Sequence, residues 1–267
     1  MSTIDSTSPA TDTDTDPVAV QVWTEPEGIA PRGTLIVLGG RGETPAVYER
    51  FGSRIARDAY RVHALGDVTV DTEATRAAAL ALLADESLPA PKVLVGSDAG
   101  AALALELATG NDADAVVLAG LPTPEGERGE VTGDQVEART ACPNHQKVLR
   151  REVRENALDL LIPLDLLGVT ASAVRVPLLA IHGAEDTVSP LPAALEVYRE
   201  SPRPEIAVVA GGRHDALNDV THRSVAATVV LFLERIRAAR LDGTDPSELI
   251  VRSVPAGSEV RTGGAHR

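Results

Sequence analysis

The segment Lys92-Val-Leu-Val-Gly96-Ser97-Asp98-Ala99-Gly100-Ala101-Ala102 carries an apolar strand into a turn of small residues and then into a helix. Such a turn lifts its apex side chain above a sheet at the helix N-terminus and leaves room only for small residues two positions before and two after. Gly96 and Gly100 meet that requirement around Asp98. Centring the turn on Ser97 would put Val95 and Ala99 at the flanks. Valine is too bulky there, so the register favours Asp98 as the nucleophile and leaves Ser97 as the alternative. Either side chain could instead merely cap the helix that follows.

Two partners for such a nucleophile lie further along. In Pro177-Leu-Leu-Ala-Ile-His182-Gly183-Ala184-Glu185-Asp186 a strand ends in glycine and an acid follows three residues later. In Val208-Val-Ala-Gly211-Gly212-Arg213-His214-Asp215 another strand ends in a glycine pair and delivers a histidine. Asp186 could hold His214 in one tautomer, and His214 could then activate water against a covalent intermediate. An isolated loop aspartate is usually solvated and an isolated histidine usually structural; the joint pattern argues for chemistry. A fourth element, Gly33-Thr-Leu-Ile-Val-Leu-Gly39-Gly40-Arg41-Gly42-Glu43-Thr44, feeds a strand into a glycine loop. It holds neither a dinucleotide fingerprint nor a phosphate-loop lysine. The backbone N–H groups of Arg41 and Ala99 could converge on developing negative charge as an oxyanion hole.

The elements needed to position these residues are legible as short apolar runs alternating with segments of helical period, the pattern of a mainly parallel sheet covered by helices. The runs predict strands at Val18–Thr24, Gly33–Leu38, Tyr60–Leu65, Lys92–Gly96, Ala113–Ala119, Val176–His182 and Glu205–Ala210. Helices are predicted at Pro45–Arg57, Thr72–Ala84, Ala99–Thr109, Leu191–Glu200 and Thr221–Arg240. Between Ala119 and Val176 lie roughly 55 residues, too many for a simple crossover. This stretch holds the charged Glu125–Glu137 and a helical-looking Asn144–Asp159, and residues 121–175 read as an inserted cap over a site. The expected organisation is therefore a disordered acidic tail over 1–17, one domain over 18–240 and a flexible tail over 241–267. Within that last tail Leu249-Ile250-Val251 could pair as an edge strand.

Composition narrows the function. The formal net charge of -14 argues against nucleic acid and anionic bilayers as partners, because both are bound through clustered Lys and Arg. Only 2% of residues are aromatic, so the core must rest on Ala, Val and Leu. The single Cys142 allows no intrachain disulfide and no multi-cysteine metal site, and the histidines His63, His145, His182, His214, His222 and His266 show no ligand spacing. No apolar run approaches the ~20 residues needed to span a bilayer, and the N-terminus lacks the basic and apolar regions of a secretory signal. A cytoplasmic protein acting on a small molecule, without cofactor or metal, is the expectation; the oligomeric state is left open.

Together these segments resemble the α/β-hydrolase superfamily, in particular its monoacylglycerol lipase and lysophospholipase-like branch, over roughly Val18 to Arg240. Gly40-Arg41-Gly42-Glu43 with Tyr48-Glu49 is similar to that branch's oxyanion loop, and Gly212-Arg213-His214-Asp215 through Asp219 to its histidine loop. The chain order of nucleophile, acid and histidine agrees. Two departures stand out: Gly39 occupies the position of a customary histidine, and Asp98 that of the nucleophilic serine. The second resembles haloalkane dehalogenases and epoxide hydrolases, whose aspartate attacks saturated carbon to give an ester that water cleaves. Yet Ala99 stands where a dehalogenase has tryptophan, Trp23 lies near the first strand, and Leu121–Val176 contains neither the tyrosines of an epoxide hydrolase cap nor any tryptophan. The resemblance implies an α/β-hydrolase fold and a hydrolase using Asp98, Asp186 and His214. The alternatives are a serine-type esterase using Ser97 and a non-catalytic ligand-binding member of the fold.

Overall fold

The structure, a computed structural model, describes residues 18–110, 112–126 and 133–247. The tail expected over 1–17 and the edge strand expected at Leu249-Ile250-Val251 lie outside these residues. Seven strands form one sheet: β1 (Val20–Trp23), β2 (Gly33–Gly39), β3 (Tyr60–Asp67), β4 (Lys92–Ser97), β5 (Ala115–Ala119), β6 (Leu178–Gly183) and β7 (Pro204–Val209). Their order across the sheet is β1-β3-β2-β4-β5-β6-β7, with β1 antiparallel to β3 and every other pairing parallel. This is the sheet of an α/β-hydrolase fold, as the sequence led one to expect. The chain leaves β2 in one direction for β3 and returns on the other side for β4. Residues beyond the carboxyl ends of β2 and β4 therefore meet at the point where the strand order reverses.

The central strands are apolar on both faces because helices cover both. Ile36, Leu38, Leu94, Val116, Leu118, Leu178 and Ala180 point to one layer, and their alternates Leu35, Val37, Val93, Val95, Val117, Leu179 and Ile181 to the other. On the first face pack α2 (Thr72–Ala84), α3 (Ala99–Leu107) and α7 (Leu191–Arg199); on the second pack α1 (Glu49–Arg57) and α8 (His222–Asp242). α3 buries Ala99, Ala101, Ala102 and Ala104, and small residues on that helix let it lie close to the sheet. The single predicted helix Pro45–Arg57 is a short 3₁₀ turn, Pro45–Tyr48, followed by α1.

Scarce aromatics are spent inside. Tyr48, Tyr60 and Tyr198 are all buried, and each hydroxyl has a polar partner: Glu43, Glu234 and His182 respectively. Such partners are what make a buried phenol tolerable.

The stretch between β5 and β6 is built of short pieces: α4 (Gln135–Arg139), α5 (Pro143–Glu152), a 3₁₀ turn at Ala157–Asp159, α6 (Leu164–Leu167) and another turn at Ala171–Ala173. The helix expected over Asn144–Asp159 thus stops at Glu152; Val153 takes an extended conformation and pairs with Glu43 of the β2 loop. Further along the stretch, Ile162, Leu166, Leu167, Ala171 and Val174 join the layer that contains α3.

Candidate active site

β4 ends at Ser97, and Asp98 takes φ +51°, a conformation that L-residues other than glycine adopt rarely. Two contacts hold it there: the Asp98 N–H donates to the Ala119 carbonyl at 3.1 Å, and its own carbonyl accepts from Ala101 N–H at 2.8 Å. A Cβ on Gly100 would lie 2.0 Å from the Leu38 carbonyl oxygen, and one on Gly96 2.2 Å from that of Gly100. Both flanks of the turn therefore have to be glycine. Asp98, at its apex, is 1% exposed.

The loops after β6 and β7 bring Asp186 and His214 to that carboxylate. His214 Nδ1 lies 2.9 Å from Asp186 Oδ2, and Nε2 lies 3.2 Å from Asp98 Oδ1, off the line of a directed hydrogen bond. Asp186 is fixed from behind. Its Oδ1 accepts from the N–H groups of Val188 at 2.9 Å and Ser189 at 2.8 Å, and Oδ2 stands 3.1 Å from His182 Nε2. His182, fully buried on β6, is bound in turn to the Tyr198 hydroxyl and the Ser189 carbonyl. Ser97 lies elsewhere: it is buried at the end of β4 with its hydroxyl on that of Tyr48.

The loop after β2 meets Asp98 through both its backbone and its side chain. The Arg41 N–H, assigned from sequence to an oxyanion hole together with that of Ala99 at the head of α3, donates to Asp98 Oδ2 itself at 3.0 Å. Arg41 also turns its side chain onto the same carboxylate, with Nε 3.0 Å from Oδ2 and Nη2 2.9 Å from Oδ1, a bidentate fork. Its Nη1 reaches the Leu160 carbonyl at 3.0 Å. A second arginine, Arg139 of α4, places Nη2 3.4 Å from Asp98 Oδ2 and Nη1 3.7 Å from Asp215 Oδ1. The His145 Nε2–H donates to Asp215 Oδ2 at 3.1 Å. Beside this cluster Glu43 receives the N–H of Gly40 at 2.8 Å and the hydroxyl of Tyr48.

The sequence reading missed Arg139, His145, Asp215 and the side chain of Arg41. No periodic or motif signal marks Arg139. A long cation between two glycines, Gly40-Arg41-Gly42, was the one available hint.

Burial and charge pull these groups apart electrostatically. Burial alone would raise the Asp98 pKa, but the charges of Arg41, Arg139 and His214 hold it well below the usual carboxylate range. Asp186 is likewise held low against burial, by His214 and His182. For His214 burial favours the neutral ring, yet the adjacent Asp186 and Asp98 lift the pKa to about 9. Glu43 is pushed up to about 8 by burial and by the charge of Asp215. At neutral pH the resting site thus holds an imidazolium between two carboxylates, and a protonated Glu43.

These shifts set the pH dependence of stability. His214 and Glu43 have folded pKa values above their unfolded ones, so each contributes stability that is lost as pH rises: from about 6.5 to about 9 for His214 and from about 4.5 to about 8 for Glu43. Asp98 and Asp186 have lowered values and contribute above about 3.8, losing it only in acid. Thermal unfolding followed from pH 4 to 9.5 should show Tm falling steadily above about pH 6.5. A Tm that is flat or rising across that range would contradict the assigned charges.

No family model and no curated protein sequence matches the chain. Solved structures do match. The monoacylglycerol lipase of Paleococcus ferrophilus superposes with a TM-score of 0.66 at 14% identity, covering 83% of this chain and 98% of that one. A soluble variant of the monoglyceride lipase of Saccharomyces cerevisiae gives 0.64 at 14% identity, covering 81% and 91%. An esterase of Exiguobacterium antarcticum gives 0.61 at 15%, covering 81% and 95%. Identities this low carry the α/β-hydrolase fold and leave the chemistry to be argued from the site. Among the described residues no helix is long and apolar enough to cross a membrane, and no group of three or more His, Cys, Asp or Glu side chains is arranged to hold a metal ion.

Proposed function

We propose that the chain is a hydrolase of a small organic substrate, working without a cofactor through an ester formed on Asp98. One observation carries this reading: the apex carboxylate, itself in the strained conformation, faces the ring of a histidine whose other nitrogen is held by a buried acid. Asp98 is ionised at any physiological pH, so its attack requires no base. Oδ1, on the His214 side, is the attacking atom. Oδ2 keeps the Arg41 N–H and becomes the carbonyl oxygen of the ester, so that the same amide, with that of Ala99, stabilises the oxyanion formed when water adds.

Ester formation also prepares the second step. It removes the Asp98 charge that helps keep the proton on His214, so the ring can release that proton to solvent and is free to accept one from water. Asp186 retains the ring's orientation throughout. Ser97 is a poorer nucleophile here because its hydroxyl lies on Tyr48.

A single turnover in heavy-oxygen water tests the scheme. Label is expected in the Asp98 carboxylate, with the product oxygen coming from the protein; label in the product alone would exclude the covalent route. One observation favours a second reading, a ligand-binding member of the fold without turnover: both Asp98 oxygens are already engaged by Arg41. Substrate profiling that gives equal background rates for wild type and His214→Ala would support it.

A further inference from the structure

Arg139 is 1% exposed, and none of its three guanidinium nitrogens has a hydrogen-bond partner among the described residues. Its nearest anions are Asp98 Oδ2 and Asp215 Oδ1, at 3.4 and 3.7 Å, and that Asp215 oxygen is without a hydrogen-bond partner too. A guanidinium presents up to five N–H donors in a fixed planar fork, and burying it with none of them directed at an acceptor is costly. A position needed only for packing would be served better by an apolar side chain. Arg139 therefore stands ready for an acceptor, next to the one atom group where a substrate must come.

The charges around it indicate what kind. Arg41, Arg139 and the His214 imidazolium all face the Asp98 carboxylate, with Asp186 behind His214 and Asp215 behind Arg139. An ester on Asp98 removes one anion from this buried set. A substrate that brings a single negative charge restores the balance, whereas a phosphate dianion overshoots it. The group already seated in the Arg41 fork is a carboxylate, which shows the shape that fits.

We propose that the substrate carries a carboxylate and that Arg139, together with Arg41, receives it beside the carbon that Asp98 attacks; this rests on Asp98 being the nucleophile. In that reaction the Asp98 Oδ1–carbon bond forms as the carbon–leaving-group bond breaks, and the leaving group departs with the bonding electrons. Water then adds to Asp98 Cγ. His214, its resting proton already released to solvent once the Asp98 charge is gone, takes one of the water's protons and gives it to Oδ1 as the Cγ–Oδ1 bond breaks, so the product is a hydroxy acid. The water's remaining proton passes from the regenerated Asp98 to the His214 ring, which restores the resting imidazolium.

Binding can be measured apart from turnover. Acetate and its neutral isostere acetamide would be titrated calorimetrically into wild type and into Asp98→Asn, which keeps the side-chain shape but gives up its claim on the guanidinium pair. Acetate should bind Asp98→Asn at least tenfold more tightly than wild type, and acetamide should show no such gain. Adding Arg139→Met should remove the gain, and Arg139→Lys should retain part of it. Equal affinity of Asp98→Asn for the two probes, or equal acetate affinity in wild type and Asp98→Asn, overturns the proposal even if Arg139→Met does not fold. Asp98→Asn can form no ester, so the outcome is independent of the labelling experiment: Asp98 labelled without a preference for acetate sinks the carboxylate alone, and acetate binding with label only in the product sinks the nucleophile.

Discussion

Replacing His214 with alanine should stop steady-state turnover, by about 10³–10⁴-fold, while sparing the first chemical step. Asp98 enters the reaction already ionised, so attack on a saturated carbon needs no proton acceptor. Hydrolysis of the resulting ester does, because water must lose a proton as it adds to Cγ. The variant should therefore release leaving group in a burst equal to the enzyme present and accumulate the substrate fragment on Asp98. Intact-protein mass followed by peptide mapping detects this directly. A serine mechanism predicts the opposite, since Ser97 would need the imidazole to attack at all and no adduct would form. Loss of the burst together with turnover would accordingly remove Asp98 from its assigned role.

The second large effect concerns stability. Arg41 clamps Asp98 through its N–H, Nε and Nη2, and both side chains are almost wholly buried. Arg41→Met keeps much of the volume and the backbone N–H of residue 41, but otherwise leaves the carboxylate with the longer contact to Arg139 and the misaligned one to His214. Breaking a buried pair in this way typically costs about 3–5 kcal/mol, most of it the penalty of a stranded charge. Adding Asp98→Asn removes that charge, so the double variant should be more stable than Arg41→Met alone. Urea unfolding of the four proteins in this cycle provides the comparison. A loss below about 1 kcal/mol, or a double variant weaker than the single, would mean that the fork contributes little to the fold.

The contrast between what could and could not be read from the sequence has a physical basis. β2, β4, β5 and β6 are buried on both faces and read as unbroken apolar runs; their ends moved by no more than two residues between expectation and structure. Glycines at 96 and 100 pointed to the Asp98 turn because the backbone there tolerates no Cβ. The insertion was legible only as a length. Its pieces are three to ten residues long, too short to show a helical period, and their burial depends on surfaces supplied by α3 and by the β2 loop. Arg139 falls in this category. An arginine reads as surface by default, and nothing adjacent in sequence discloses that Asp98, forty-one positions earlier, lies within ion-pair reach. Arg41 was credited with its amide alone because a glycine-flanked loop draws attention to backbone; the fork its side chain makes is a tertiary fact.

Asp98 hydrogen-bonds through its own N–H to the end of β5, at the middle of the sheet, whereas Arg139 belongs to a five-residue helix outside it. The two halves of the site consequently answer to different opening events. Amide exchange at Asp98 requires the central strands to part and so reports global unfolding, while α4 has too few turns to resist local fraying. Each excursion of that short helix withdraws one positive charge from beside Asp98 and leaves Asp98, Asp186 and His214 in place.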